Sequence, residues 1–496
     1  MTNKETSYKS IFKSTFLFSF VRVFTILTKI AVNKAVALLL GTSGLGIIGL
    51  YQTTINLIAT FFGFGISKSA IRDISLKNNT NNTKGLSKII STTNYLVFFT
   101  SFFGALMTIL LSSYLSHWSF GNQDHTYSFM LLSVAVFFTI LSEGKLAILT
   151  GMRKLNYLAR ASILGCILGI APAILLYYFF QENGIIPSII LVPFISYIFS
   201  TLYIKKVNYK KINLDIKDIL TEGSGMFKMG LSLMYVSLWV LITEYIIKIY
   251  ISSIDSLQMV GIFQAGSTLV MGYFGIITTA MATDYYPRIS AIHNKDTKLE
   301  LEVNKQSKVG LVLLGPLVIL FLIFTPLFVN LLYSIDFLPS ISYIKYAIFG
   351  VVIIACSNPM GMILLAKQKS IIFLLSVTLS RIFGITASIY GYSILGLQGL
   401  GIAYLFYALF ELISMQLIMN YFYKIKFEFS TIRILTITLI FCLMAFFIDQ
   451  ISYQSFRYMA AVSLLGISIF FSLAVINREM NINVIHLIKN KMSDDE

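Results

Sequence analysis

Charged side chains inside long apolar stretches are the residues best placed to do chemistry in this sequence. Arg22 and Lys29 lie in the first apolar stretch, seven positions apart, so a helix places them within about 20° of each other. Asn33 falls on the same face. A Lys or Arg at the centre of a membrane helix costs roughly 2.5–3.5 kcal/mol to insert. We therefore expect these three side chains to face an aqueous cavity and to bind an anionic group, since Arg and Lys suit phosphates.

A second set of charges lies in the later apolar stretches. Glu244 and Lys248 are one helical turn apart, and Arg381 and Glu411 lie near mid-membrane, where they could pair across helices. We predict that Lys248 and Arg381 contribute to substrate binding. Glu244, Glu411 and Glu143 are candidates for proton or sodium coupling. An internal Glu244–Lys248 ion pair that eases insertion of both charges is an equal and compatible interpretation.

The remaining reactive residue types do not indicate an enzyme. The sequence shows no nucleophile–base set, no metal-ligand cluster and no phosphate-binding glycine loop, so we predict no catalytic residues, no metal and no cofactor. The three cysteines lie in apolar stretches without metal-ligand spacing, which favours a packing role. These are Cys166, Cys356 and Cys442.

Composition determines the class of protein that must position these charges. Hydrophobic residues make up 56% of the chain, charged residues make up 12%, and the mean hydropathy is +0.80. Soluble domains carry about 25% charged residues. Apolar runs long enough to cross a bilayer as helices recur along the chain. The sequence therefore predicts an all-α polytopic membrane protein.

The apolar runs divide into about fourteen predicted spans joined by short loops. No loop is long enough to hold a soluble domain. The predicted spans lie near 14–40, 47–71, 87–113, 127–150, 157–181, 184–204, 223–251, 258–283, 306–333, 340–366, 369–393, 398–423, 430–449 and 454–476.

The distribution of positive charge predicts the orientation. Of the 38 Lys and Arg residues, 30 fall in the termini and in alternate loops that share one side, whereas the opposite loops hold only Arg457. This asymmetry follows the positive-inside rule and predicts that both termini are cytoplasmic. Topology and attraction to anionic membrane lipids account for most of the net charge of +16, so nucleic acid is not an expected partner.

Two similar stretches indicate an internal repeat. Tyr51-Gln52 follows a glycine-rich stretch, and Phe263-Gln264 opens a comparable stretch 212 positions later. An even number of predicted spans separates the copies, so they share one orientation, as in the parallel repeats of some transporters. The predicted architecture is two pseudo-symmetric six-helix lobes plus two C-terminal helices. Its parts are the first lobe 1–205, a cytoplasmic linker 206–222, the second lobe 223–425, two further transmembrane helices 426–476 and a cytoplasmic tail 477–496.

The stretch from Val36 to Ser75 carries the most specific local signal. Gly41, Gly44, Gly46 and Gly49 predict a flexible turn between two apolar runs. A second segment, Thr283-Asp284-Tyr285-Tyr286-Pro287-Arg288-Ile289-Ser290, closes the eighth predicted span. Together the two segments resemble the Wzx-type O-antigen translocases of the multidrug/oligosaccharidyl-lipid/polysaccharide (MOP) exporter superfamily.

The resemblance implies a flippase that moves a polyprenyl-diphosphate-linked oligosaccharide across the bacterial inner membrane by alternating access. It further implies a polysaccharide polymerase and chain-length machinery as partners. Three alternatives remain. A cation-drug exporter is disfavoured by the basic first span. A lipid II flippase shares the basic first lobe and the fourteen spans. A membrane polysaccharide polymerase would carry a large external loop, which this sequence lacks.

Overall fold

The computed structural model describes residues 24–25, 27–79, 83–207, 209, 212, 215–367, 369–451 and 453–480. Within these ranges the chain is helical and contains no strand, which confirms the predicted all-α class.

Residues 27–39 are helical. The further helices are α1 Gly41–Phe62, α2 Ile66–Asn79, α3 Thr83–Leu110, α4 Ser112–Phe120, α5 Thr126–Gly151, α6 Leu155–Phe180, α7 Ile185–Lys205, α8 Ile216–Ile254, α9 Leu257–Ser267, α10 Phe274–Ala291, α11 Asp296–Ile323, α12 Thr325–Leu332, α13 Ile341–Ala366, α14 Ser370–Tyr423, α15 Phe429–Ile448 and α16 Gln454–Met480.

Among the described residues, 11 helical stretches are long and apolar enough to cross a membrane. Two of them are broken near the middle. Leu155–Lys205 is interrupted by the 3-10 turn Gln181–Gly184, and Ser370–Tyr423 bends at Gly396, where φ is +57°. Each of these stretches holds two of the predicted spans. The first predicted span lies partly outside the described residues, so the count of fourteen stays a prediction.

Large apolar side chains cover much of the helix surface. Phe99, Phe179 and Ile371 are 64%, 68% and 75% exposed. Contiguous apolar surface of this kind is rare on soluble monomers. Lipid tails solvate such side chains, while the helices satisfy their own backbone hydrogen bonds. The protein is therefore a multi-pass membrane protein.

The chain forms two compact units by internal packing. Unit 1 comprises Met1–Ile262 with Leu332–Ser334, and unit 2 comprises Phe263–Leu331 with Ile335–Glu496. This division reflects helix packing, whereas the predicted lobes reflect membrane topology and a sequence repeat. The lobe boundary at 206–222 thus stays a prediction.

The glycines of the first repeat stretch serve close helix packing in unit 1. The prediction of a flexible turn was wrong for Gly44, Gly46 and Gly49, which are helical residues inside α1. Of the four glycines, Gly41 alone has a positive φ, +66°. A Cβ added at Gly46 would lie 2.0 Å from the carbonyl oxygen of Leu257. One at Gly261 would lie 1.9 Å from that of Thr42. The backbones of α1 and α9 touch here, and only glycine leaves room.

A second glycine contact fixes the break between α1 and α2. Gly65 adopts φ +63°, a conformation that L side chains rarely take. A Cβ on Gly65 would lie 2.2 Å from the carbonyl oxygen of Gly230 on α8, and one on Gly230 would lie 2.3 Å from that of Phe64. The contact places α2 along α8.

Unit 2 is built around α11, which packs against α10, α13, α15 and α16. An ion-pair cluster ties the end of the chain to this helix. The Lys308 ammonium lies 2.8 Å from Glu428 and 3.1 Å from Glu479, and Arg433 lies 3.2 Å from Glu479. We call Lys308, Glu428, Arg433 and Glu479 the C-terminal ion cluster.

Candidate functional site

Lys29 is an exposed cation on the helical segment 27–39 of unit 1. Among the described residues it makes no ion pair. Its charge acts on the thiol of Cys166, so it lies beside α6. Arg22, predicted to share its face, lies outside the described residues. A lone ammonium on a membrane helix is available to an anionic ligand.

Asn33, the third predicted member of this polar face, takes part in an internal contact. Its amide nitrogen donates to the hydroxyl of Tyr333 at 3.3 Å. The ammonium of Lys34 donates to the Tyr333 backbone carbonyl. Tyr333 is 1% exposed, so these bonds fasten the segment 27–39 within unit 1. The substrate role of Asn33 stays a prediction.

Lys248 is fully buried in unit 1 and is held by α1. Its ammonium donates to the Thr53 hydroxyl at 2.5 Å, to the Gly49 carbonyl at 3.2 Å and to Glu244 Oε1 at 2.6 Å. A lysine ammonium has three donors, and all three are used. To bind a phosphate, Lys248 would have to give up one of these bonds.

Glu244, the ion-pair partner of Lys248, is more exposed than the lysine. Its side chain is 38% exposed, against 1% for Lys248. The Thr53 hydroxyl, which bonds the Gly49 carbonyl at 2.7 Å, also lies 3.4 Å from Glu244 Oε1. The predicted internal ion pair between Glu244 and Lys248 therefore exists within α8, and the bonds from Lys248 to Thr53 and Gly49 join α8 to α1.

Two further cations of unit 1, Lys68 and Arg72, were not among the predicted site residues. Lys68 and Arg72 are four residues apart on α2, so they share one face. Both are exposed. The Lys68 ammonium donates to the Ser237 hydroxyl at 2.6 Å, and Arg72 approaches the sulfur of Met229 at 3.1 Å. Their four-residue spacing, directly after the glycines between α1 and α2, is the sequence feature that could have identified these two cations as site candidates.

Glu143, the third coupling candidate, lies within the electrostatic reach of Lys68. The residue is exposed. Glu143 and Lys68 thus place an acid on α5 and a base on α2, two helices that pack together.

In unit 2, the side chains of Arg381 and Glu411 both lie beside one tyrosine, Tyr407. The described ion pairs do not include these two residues, so their direct pairing stays a prediction. The Arg381 guanidinium lies 5.1 Å from the ring centroid of Tyr407, and the Glu411 carboxylate lies beside the same side chain. Both charges are half-buried.

The helical architecture and the lipid-facing surface define a multi-pass membrane protein, and its fold is that of solved membrane transporter structures. Solved structures support this fold. "Lipid II flippase MurJ, inward closed conformation" aligns with a TM-score of 0.72 at 15% identity, over 94% of this chain and 100% of that one. An inward-facing multidrug resistance MATE family transporter of the MOP superfamily aligns with a TM-score of 0.66 at 15% identity, over 80% of this chain and 94% of that one.

The chain belongs to the family described as "Polysaccharide biosynthesis protein", whose sequence model matches residues 35–342. Curated relatives named "Lipid III flippase", from Escherichia coli K12 and Shigella flexneri, are 21% identical over 266 residues. The alignment covers 53% of this chain and 63% of each relative. The predicted resemblance is confirmed by this family and by the fold shared with a lipid II flippase and with a transporter of the MOP superfamily.

Proposed function

We propose that this protein is a flippase that moves a polyprenyl-diphosphate-linked oligosaccharide across the cytoplasmic membrane by alternating access. Support comes from the polysaccharide biosynthesis family, from relatives named lipid III flippases and from the fold shared with a lipid II flippase. O-antigen or a related repeat unit is the proposed oligosaccharide. The protein acts as a transporter and not as an enzyme.

The observation that carries this proposal is the exposed Lys29. An unpaired cation on a membrane helix is expensive and is kept where an anion or water can reach it. A diphosphate supplies oxygens for strong, charge-assisted hydrogen bonds. Arg22 is the proposed second cation, seven residues earlier, and Arg381 and Lys248 are proposed to assist after release from Tyr407 and Glu244.

Ion coupling is proposed to act through the carboxylates beside these cations. Proton or sodium uptake by Glu244 would free Lys248, and uptake by Glu411 would change the environment of Arg381. Glu143 could act on Lys68 in the same way. Glu244 pairs directly with Lys248, Glu411 lies beside the same tyrosine as Arg381, and Glu143 lies within the electrostatic reach of Lys68, so neutralising a carboxylate changes the charge presented to the substrate.

Location and partners follow from the same proposal. The proposed location is the bacterial inner membrane, surrounded by membrane lipids, with both termini in the cytoplasm. A polysaccharide polymerase and chain-length machinery are the proposed partners on the product side.

A lipid II-type flippase is the second candidate. The specific observation in its favour is the alignment with the MurJ structure along the full length of that chain. Both candidates need cations for a diphosphate, so the charges do not separate them.

Reconstituted vesicles can test the proposal. We would load one leaflet with the polyprenyl-linked oligosaccharide fraction from membranes of the encoding organism, or with lipid II, and measure its appearance in the other leaflet. Protein-free vesicles are the control. We expect protein-dependent movement of the oligosaccharide fraction, faster under an imposed proton or sodium gradient. Movement of lipid II alone would favour the second candidate, and movement of neither would reject both.

A further inference from the structure

A pocket of about 310 Å³ lies within unit 2, bordered by α10, α11 and α13. Its polar lining comes from Thr278, Thr279, Gln306, Asn358 and Tyr285. Its volume is at the lower end of the roughly 300–1,000 Å³ typical of small-ligand pockets. It suits a ring-sized group rather than an extended chain.

Several polar groups of this pocket have hydrogen-bonding capacity that the described residues leave unused. Tyr285 is 1% exposed, and its hydroxyl makes no hydrogen bond to any residue that the structure describes. The exposed amide of Asn358 makes none within the same ranges. Pro359 has no N–H, so the carbonyl of Ala355, also in the pocket wall, lacks its usual helical donor. Buried polar groups such as the Tyr285 hydroxyl are nearly always paired, and the exposed Asn358 amide offers further donors and an acceptor, so this set points to a ligand rich in hydrogen-bonding groups.

Arg288 positions two of these side chains. It donates to Gln306 Oε1 at 3.1 Å, and its guanidinium lies 5.9 Å from the ring centroid of Tyr285. Asp284 and Glu302 hold this arginine at 3.1 and 2.6 Å and balance its charge. The segment from Asp284 to Arg288, distinctive in the sequence, thus contributes Tyr285 to the pocket lining and Arg288 to the support of Tyr285 and Gln306.

The lining determines which chemistry fits. Among the described residues no Asp, Glu, Lys or Arg side chain lines the pocket, so a phosphate would lack cations and a metal ion would lack carboxylates. Amides and hydroxyls can both donate and accept, as the hydroxyls of a sugar require. Met281 and Met362 supply apolar surface for the C–H face of such a ring.

We propose that this pocket binds one sugar residue of the oligosaccharide and thereby selects which oligosaccharide is carried. The inference rests on the proposed flippase function and adds a specificity site to it. Sites that hydrogen-bond a ligand's hydroxyls discriminate strongly, because an analogue lacking them leaves buried polar groups unpaired.

Cysteine protection can test the pocket. In a background where Cys166, Cys356 and Cys442 are replaced, Ala282→Cys places a thiol in the lining and Ala291→Cys places an exposed control on the same helix. The probe is the oligosaccharide released by mild acid from the lipid-linked fraction; undecaprenyl diphosphate is the comparator. At about ten times its Kd, the oligosaccharide should slow maleimide labelling at 282 about tenfold. Labelling at 291 should be unchanged.

Two variants sharpen the result. Asn358→Leu should abolish protection by removing both donors and the acceptor, and Tyr285→Phe should weaken it by removing one hydroxyl. Equal protection by undecaprenyl diphosphate, no protection by the oligosaccharide, or full protection in Asn358→Leu would overturn the sugar pocket. Flipping by the wild type without protection at 282 would reject the pocket alone. Protection without flipping would reject the flippase and keep a sugar site.

Discussion

The helical segment 27–39 and the C-terminal ion cluster use lysine in opposite ways. Lys29 is exposed and makes no ion pair with any residue in the described ranges. Lys308 is 10% exposed at its side chain and lies between Glu428 and Glu479. Asn304 strengthens the second region by accepting from the Glu428 N–H at 2.8 Å and the Thr431 hydroxyl at 2.7 Å.

The difference separates charges that hold the fold from charges available to a ligand. Lys308 fastens α16 and the start of α15 to α11, so its charge is already neutralised. In the described structure, Lys29 makes no such ion pair between helices. Lys248 resembles Lys308 more than Lys29, since all three of its donors are used inside unit 1.

The largest effect is expected at Lys29. Lys29→Ala should abolish flipping, because a charge-assisted bond to phosphate contributes about 3 kcal/mol, or about a hundredfold in affinity. The thermal stability of the Lys29→Ala variant should be unchanged. Lys29→Arg should retain more activity than Lys29→Gln, since arginine keeps the charge. Vesicle flipping and melting in detergent are the two measurements.

Lys34→Ala is the matched control, because it removes a neighbouring lysine whose ammonium bonds the Tyr333 carbonyl. Stability should fall there more than in Lys29→Ala. Full activity in an Arg22→Ala/Lys29→Ala double variant would contradict the proposed diphosphate site.

The next effect concerns the Glu244–Lys248 pair. Glu244→Ala leaves the Lys248 charge buried without its carboxylate, which should cost about 3 kcal/mol of unfolding free energy. A Lys248→Met/Glu244→Leu variant should recover most of this loss, because an apolar pair needs no neutralisation. Denaturant unfolding in detergent measures both.

The double variant also tests whether the pair has a role beyond packing. Flipping that survives in it would remove Lys248 from substrate binding and Glu244 from coupling. The exposed Lys305–Glu302 pair is a suitable control, since Lys305→Ala should cost less than about 1 kcal/mol.

The smallest effect is a pH dependence of the C-terminal ion cluster. The hydrogen bond from Lys308 holds the pKa of Glu428 below its ordinary value of 4.5. A carboxylate with a lowered folded pKa stabilises the protein above its unfolded pKa, and this contribution is lost as pH falls through the folded pKa. Wild-type stability should therefore fall below pH 4.5 more steeply than that of Glu428→Gln. Parallel melting profiles of the two proteins would contradict this role of Lys308.

Local features of the sequence predicted some elements well and misjudged others. The apolar runs located the helices because a bilayer demands long apolar segments, whatever their neighbours. The glycines of α1 were misjudged because a glycine that lets two backbones touch resembles one that forms a turn. Gly46 is explained only by Leu257, more than two hundred positions later.

By itself the sequence determined the all-α membrane class and the charged positions within the spans, whereas the topology stays a prediction. Composition and helical spacing are local properties, and insertion into lipid depends on them directly. Only the tertiary structure decided which charges are neutralised. It joined Lys248 to Thr53, set Tyr407 between Arg381 and Glu411, and left Lys29 exposed, because a charge's partners depend on distances between helices that are remote in the chain.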